Sequence, residues 1–312
     1  MSATMSRRAI MVVGAGCLLL LLSFGIRSSF GLFQQPLVAA QGWGREVFAL
    51  AIALQNLLWG ATQPFAGALC DRYGGRLVAF GGAILYILGC WLMAVTSDPL
   101  LFSFGSGLLI GAGMSGVGFA VVLAEIGRVV PPERRGMALG FGTAAGSFGQ
   151  FAVVPLGQAM LVSLGWSGAL IALTFVALLL IPLAFCLSGS GTSHDGPAQS
   201  LGEAVREAAA HRGYWLLTIG YFVCGFHVAF IGTHLPAYLV DNGIEARWGA
   251  WALSMVGLFN ILGSFVFGAL GDRRRKKYLL AGIYLSRSVV LLLFLVVPLS
   301  PLSVMLFASA MG

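Results

Sequence analysis

Gly67-Ala68-Leu69-Cys70-Asp71-Arg72-Tyr73-Gly74-Gly75-Arg76 is a short charged, glycine-bearing loop wedged between two long apolar runs. Its opening returns 201 positions later, where Gly268-Ala269-Leu270-Gly271-Asp272-Arg273 repeats five of six residues and again ends one apolar run and precedes another. A polar loop recurring at the same point of two hydrophobic blocks marks internal duplication, which in membrane proteins points to transporters built from repeats.

Composition agrees. The 312 residues are 58% hydrophobic and 9% charged, where an ordinary soluble domain carries roughly 25% charged residues. Forty-four glycines suit membrane helices, whose backbones approach closely over small residues. A net charge of +7 would also suit a nucleic-acid partner, but the positive residues lie between apolar runs, which excludes that class and points to a lipid bilayer. The five cysteines are scattered, without metal-ligand or disulfide spacing, and read as packing residues.

Apolar segments near 20 residues, the length that crosses ~30 Å of hydrocarbon, fall at about Ile10–Val38, Val47–Leu69, Leu77–Thr96, Leu100–Leu123, Met137–Leu164 and Ser167–Leu187. Three more follow at about Tyr214–Val240, Trp248–Leu270 and Tyr278–Val297, and a tenth begins near Pro301. The first is too long for the ~7–15-residue apolar core of a cleavable signal peptide. With the N-terminus inside, fourteen of the eighteen Lys and Arg residues fall in cytoplasmic loops and two, Arg45 and Arg247, outside. That excess sets the orientation, with the N-terminus, both copies of the loop and the central segment cytoplasmic.

The expected architecture is an all-α polytopic membrane bundle. Residues 1–187 form an N-terminal six-helix bundle, 188–213 a cytoplasmic central loop, and 214–312 a partial C-terminal bundle. The central loop opens with Ser, Gly, Thr and Pro, a linker composition. Ser200-Leu201-Gly202-Glu203 then has the form of a capping box, opening a short surface helix to about His211.

Gly67 to Arg76 resembles the cytoplasmic signature of the major facilitator superfamily, roughly G-x-L-x-D-R-x-G-x-(R/K), with Gly67, Leu69, Asp71, Arg72, Gly74 and Arg76 at its key positions. In the echo, Gly268, Leu270, Asp272 and Arg273 match, while Arg274 and Arg275 depart from its later part. Motif, span number, charge partition and central loop agree over the whole chain. The resemblance implies two six-helix halves, a gating role for both loops, and a sequence that stops within the tenth of twelve helices. It also implies that the aspartate of the first motif faces the start of helix 11, and that of the second faces helix 5. Glu133-Arg134-Arg135-Gly136 is similar to the loop that commonly precedes helix 5. Phe24 to Phe33 with Gly42-Trp43-Gly44-Arg45 resembles the start of bacterial members related to monocarboxylate and oxalate–formate carriers, which implies the cytoplasmic (inner) membrane of a bacterium. Gly149 is followed by Gln150 rather than proline, a departure from the signature of drug–proton antiporters.

An ionisable side chain at bilayer depth costs several kcal/mol unless it faces a wet cavity or a partner, so it is a functional candidate. Arg27 lies seventeen residues into span 1, or ~25 Å along the helix, with Ser23 and Gln34 near the same face. A guanidinium there would hold a carboxylate bidentately; the bland alternative is snorkelling to the outer headgroups. Arg287, midway along span 9, is a second candidate, and at least as readily a structural pair with a neighbouring helix or carbonyl. The acids fall in loops or at helix ends, Glu125 lying nearest a membrane interior. Proton coupling would therefore fall to His227 and His234, seven apart on span 7, although a lone membrane histidine is more often an interhelical hydrogen-bond donor. Gln55, Asn56 and Gln63 on span 2, Gln150 among the polar residues of span 5, and Asn260 on span 8 are further lining candidates, each as often interhelical glue.

The glycines of span 4 are close-packing surface rather than a nucleotide loop, since no strand precedes them and no Gly-Lys-Ser/Thr follows. No metal, cofactor or catalytic constellation is readable, which argues against an enzyme. The expected function is secondary transport of a small, monocarboxylate-like anion, by symport if a proton is coupled. Drug or cation efflux, or a non-transporting sensor on the same scaffold, are the alternatives.

Overall fold

The computed structural model describes residues 6–187 and 201–312, apart from the side chains of residues 201, 204, 268, 269, 271–273 and 276. The described residues are helical, with no strand among them. Span 1 runs from α1 (Arg7–Ser29) through a 3-10 turn (Phe30–Phe33) into α2 (Gln34–Gln41). Spans 2 and 3 are α3 (Arg45–Tyr73) and α4 (Gly75–Val95). Span 4 is broken into α5 (Pro99–Ser103), a π-helical turn (Phe104–Leu109), α6 (Ile110–Val117) and α7 (Phe119–Val129). The next helix, α8 (Pro132–Ala177), holds two spans, because Gly165 at φ 71° and ψ 178° turns the chain back. Its second arm continues into α9 (Leu180–Phe185) and runs antiparallel to α4: Ser167 Oγ donates to Ala94 O at 2.8 Å, and Phe185 meets Phe80 at 5.1 Å. After α10 (Leu201–Ala210) come α11 (Arg212–Asp241), α12 (Ala246–Arg273), α13 (Lys276–Val296) and α14 (Pro301–Met311).

Local chemistry sets the ends. Ser6 Oγ accepts from Ala9 N at 3.1 Å to open α1, and Asp98 Oδ1 accepts from Leu100 N and Leu101 N at 2.7 and 2.9 Å ahead of Pro99. Ser300 and Ser303 cap α14 reciprocally. At the motif, α3 stops because Gly74 takes φ 84°, a backbone that glycine adopts without strain.

Among the described residues, seven helices are long and apolar enough to cross a membrane. One of them, α8 with α9, contains spans 5 and 6; α3, diluted by Gln55, Asn56, Thr62 and Gln63, is not among the seven, and α14 at eleven residues is too short. The chain is an integral membrane protein. Each expected span lies on a helix, although spans 1, 4 and 6 are interrupted where continuous runs were expected. In the expected central loop, the helix covers Leu201–Ala210 rather than reaching His211, and the Ser200 cap lies outside the described residues.

Glycines set the closest crossings. A Cβ at Gly113 would meet Gly82 O at 2.8 Å, one at Gly116 would meet Val78 O at 2.6 Å, and one at Gly111 would meet Gln55 O at 2.7 Å. The span 4 glycines are thus packing surface, and they bring α6 to the backbones of α3 and α4. The larger core joins Leu19, Leu20 and Ile26 of α1 to Tyr86 and Met93 of α4, Met114 of α6 and Leu170 of α8. A smaller one joins Leu235 and Leu239 of α11 to Ala252, Val304 and Phe307.

The motif loop lies at one end of the bundle, here the motif end; Gly165, Arg45 and Asp241 lie at the far end. The regions before and after α10 meet through the far end and the middle. Gln150 Nε2 donates to Leu253 O at 2.8 Å, and Ser254 Oγ donates to Phe151 O at 2.7 Å. Toward the motif end they part: residues 212–219 of α11 are all exposed, as are Met137, Phe141 and Phe148 on α8.

Candidate functional site

Arg27 reaches the middle of the bundle from the last turn of α1. Its Nη2 donates to Asn56 Oδ1 on α3, and Asn56 Nδ2 is itself tied to Ile52 O at 2.8 Å. The guanidinium carbon stands 5.0 Å from the ring centre of Trp59, one helical turn from Gln55 and Asn56. Arg27 Nε is buried with no hydrogen-bond partner. The cation is therefore held by a neutral amide and an aromatic face, with donor capacity to spare.

Beside it lies a cavity of about 40 Å³ between Arg27, Ser28, Gln55, Gln150, Gly232 and Thr233, room for a few waters at ~10–15 Å³ each. A second, of about 30 Å³, shares Gln150, Val228 and Gly232 and adds His227 and Arg287. His227 Nδ1 is buried without a partner. Arg287 Nη2 donates to Met311 O at 3.2 Å and Nη1 reaches Cys224 Sγ at 3.6 Å. Among the described residues, no aspartate or glutamate lines either cavity. The middle of the molecule thus gathers Arg27, Gln150 and His227 from α1, α8 and α11, and adds Gln55 and Arg287.

Two sequence-predicted residues are elsewhere. Asn260 is exposed and lines neither cavity: Gly257 still packs on Ser147 O and Phe151 N of α8, but α12 then leaves α8 toward the parted motif end. His234 shares a stripe of α11 with His227 yet faces a separate far-end cavity of about 280 Å³, together with Gln34, Arg45, Glu46, Tyr238 and Asp241. At its rim Arg45 holds Asp241 with both arms of the fork, Nη1–Oδ2 at 2.5 Å and Nη2–Oδ1 at 2.8 Å, and Gln35 Nε2 adds a third contact to Asp241 at 3.3 Å.

The motif loop is a separate constellation. Asp71 pairs with Arg128 from the end of α7, and Arg128 Nη1 donates to Glu125 Oε1 at 2.5 Å. Glu125, fully buried, also accepts from Gly75 N at 2.9 Å and lies 3.6 Å from Cys70 Sγ. A carboxylate at the first N–H groups of a helix is favoured by the helix dipole, so Glu125 fastens α4 to α7 at the point where the loop turns. Arg76 Nε donates to Leu187 O at 3.3 Å, and Arg72 stands 5.3 Å over the Tyr73 ring. Gly67 faces open space, so no steric reason for its glycine is visible. The sequence shows Glu125 near a membrane interior but not its pairing with Arg128 and the motif loop; the signal was a Glu-x-x-Arg pair at the end of an apolar span. In the echo, the side chains of Gly268, Asp272 and Arg273 lie outside the described residues, and the backbone repeats the plan: α12 ends at Arg273 and α13 begins at Lys276.

The family model described as Major Facilitator Superfamily matches residues 15–312. Among curated proteins, the chain is 27% identical over 260 residues to Monocarboxylate transporter 13 of Bos taurus, covering 80% of this chain and 58% of that protein. It is 26% identical over 291 residues to the uncharacterized MFS-type transporter YcxA of Bacillus subtilis (strain 168), covering 88% and 67%. To the Oxalate:formate antiporter of Oxalobacter formigenes it is 24% identical over 288 residues, covering 89% and 66%. The chain spans about three-fifths to two-thirds of the length of these relatives.

Proposed function

This chain belongs to the major facilitator superfamily, and from that membership we propose that it carries a small organic anion across the membrane by alternating access. The observation that carries the reading is Arg27, a buried guanidinium whose side-chain hydrogen-bond partner is an amide and whose Nε–H is unpartnered, beside cavities lined by no carboxylate. An uncompensated cation at this depth costs several kcal/mol. An incoming carboxylate repays that cost, because a guanidinium fork matches it with two parallel hydrogen bonds. Drug or cation efflux would call for a buried acid in the same place.

In this reading the parted motif end is the cytoplasmic mouth, as the excess of Arg and Lys there supports, and the membrane is a bacterial inner membrane. The Gly31–Gly232 contact and the Arg45–Asp241 pair close the far side, and the motif loop governs the opposite closure as the halves rock. A ligand drives such an exchange only through different affinities for the two arrangements. Relatives named for monocarboxylates and for oxalate and formate support an anionic substrate. His227 is the group placed to carry a coupled proton beside that anion.

The test is uptake of radiolabelled mono- and dicarboxylates into proteoliposomes containing the purified protein. Arg27→Ala is expected to abolish uptake with expression intact, and Arg27→Lys to retain a reduced fraction. Undiminished anion uptake by Arg27→Ala would remove Arg27 from the site, and uptake of organic cations in place of anions would overturn the reading.

A further inference from the structure

His234 stands on α11 just beyond Gly232, where α11 crosses span 1, and lines the far-end cavity of about 280 Å³. It is half-buried, and its ring centre lies 5.1 Å from that of Phe230. The other titratable groups around this cavity are Arg45 and Glu46 of α3 and Tyr238 and Asp241 of α11; span 1 contributes Gln34, which carries no charge.

Both carboxylates are already committed. Asp241 is held by the two arms of Arg45 and by Gln35. Glu46 lies in the first turn of α3 and folds back over it, so that a Cβ on Gly44 would fall on its carboxylate, a position that the helix dipole favours. Among the described residues neither acid forms an ion pair with His234. A neutral imidazole suits this setting. An imidazolium would add a second cation to a wall that already holds Arg45, with part of its hydration lost and no free carboxylate to meet it. Parting the far end returns water to the ring and removes that cost. A proton that binds the parted arrangement more tightly than the closed one shifts the equilibrium toward it, and histidine is the side chain whose charge changes over the physiological range.

We propose that His234 is a pH sensor of the far-end gate: its protonation releases the closure made by the Gly31–Gly232 contact and the Arg45–Asp241 pair, so that acid on that side exposes the cavity. The proposal rests on the alternating-access part of the reading above and not on the identity of the solute. It gives His234 a task separate from carrying a proton with the anion, because the residue sets how readily the gate opens.

The experiment attaches spin labels to cysteines introduced at Ala39 of α2 and Asn242 at the end of α11, both exposed at the far end, in a background without the native cysteines. Their separation is measured by double electron–electron resonance in nanodiscs, without substrate, at about pH 8 and about pH 5.5, on either side of the ordinary imidazole value. The population with the longer separation is expected to rise about fivefold or more in acid. His234→Gln is expected to keep the shorter separation at both values, and His234→Arg, a permanent cation, the longer one at both. Identical distances at the two values with His234 intact overturn the inference. So does an acid response that survives in His234→Gln, which would assign it to Asp241 or Glu46. His234→Asn takes the place of His234→Gln if the latter fails to fold. A flat distance profile beside intact anion uptake overturns this inference alone; an acid response without anion uptake overturns the anion reading alone.

Discussion

Gly31, in the 3-10 turn that interrupts span 1, lies so close to Gly232 of α11 that a Cβ on Gly31 would fall on the Gly232 carbonyl oxygen. The contact joins the two parts of the chain just beyond the cavity that Arg27 lines, and it separates His227 from His234. It requires that Gly31 carry no side chain, whereas a Cβ on Gly232 would meet nothing within 4 Å. The 3-10 turn tightens span 1 at the point where α11 crosses it.

Gly31→Ala is therefore expected to disfavour the far-end closure itself. Overpacking costs ~1–3 kcal/mol, which shifts a two-state equilibrium by roughly 5–150-fold. The measurement is the labelling rate of a cysteine introduced at Ala49, which lines the far-end cavity, in a background without the native cysteines. Labelling should accelerate in Gly31→Ala; an unchanged rate would mean that the contact does not hold the far end shut.

The Arg45–Asp241 pair is a second fastening at the same end, made by a bidentate fork between α3 and α11. Arg45→Gln, Asp241→Asn and the double variant are expected to raise Ala49→Cys labelling to similar extents, since each removes the same interaction. Raising the ionic strength should bring the unaltered protein toward the variants, because both side chains are solvent-accessible and screened. Additive effects of the two substitutions, or indifference to salt, would show that the pair does not act as one unit.

At the motif end the buried member of the network matters most. Arg128→Met leaves Glu125 buried and without its cation partner, and breaking such a pair costs ~3–5 kcal/mol. Asp71→Asn weakens a contact made by a side chain that is itself 63% exposed, an effect of ~1 kcal/mol or less. Thermal unfolding in detergent should thus rank Arg128→Met far below Asp71→Asn in stability. Asp71→Asn should instead slow turnover more than it weakens substrate binding. A pure affinity effect would contradict the gating role.

Gly75→Ala tests the same network from the backbone side. A Cβ there would overlap Glu125, whose Cδ would stand 2.7 Å away, so the carboxylate must leave the start of α4 or α7 must shift. A loss of ~1–3 kcal/mol is expected, partly recovered in Gly75→Ala/Glu125→Ala relative to Gly75→Ala alone. Wild-type stability in the single variant would show that Glu125 is free to move.

The helices and the motif were legible because they are one-dimensional signals: apolar runs of fixed length, a duplicated loop, and glycine where a turn demands it. Gly74 is such a case, and so are the span 4 glycines. Pairings between spans were not. Glu125 sits at the end of an apolar run, where a carboxylate ordinarily meets water, and nothing in the sequence shows that α7 docks it against the first N–H of α4. Asn56 was visible as a polar residue, but its bond to Arg27 depends on the crossing of α1 and α3. Asn260 is exposed for the same reason: helical spacing continues the face of Leu253 and Gly257 to residue 260, whereas the partner helix departs first.

The two histidines divide along the same line. Their spacing of seven puts His227 and His234 on one stripe of α11, which suggested a shared task, but the Gly31–Gly232 contact lies between their cavities. His227, with its buried and unpartnered Nδ1, adjoins Gln150 and Arg287; His234 shares its cavity with Arg45, Glu46 and Asp241. A proton that travels with the anion must bind on the substrate's side of the barrier. Accumulation driven by a pH gradient is therefore expected to disappear in His227→Gln, with exchange at equal pH retained, and to survive in His234→Gln. Proteoliposome uptake with and without the gradient measures both. Full gradient-driven accumulation by His227→Gln would place the proton on another group.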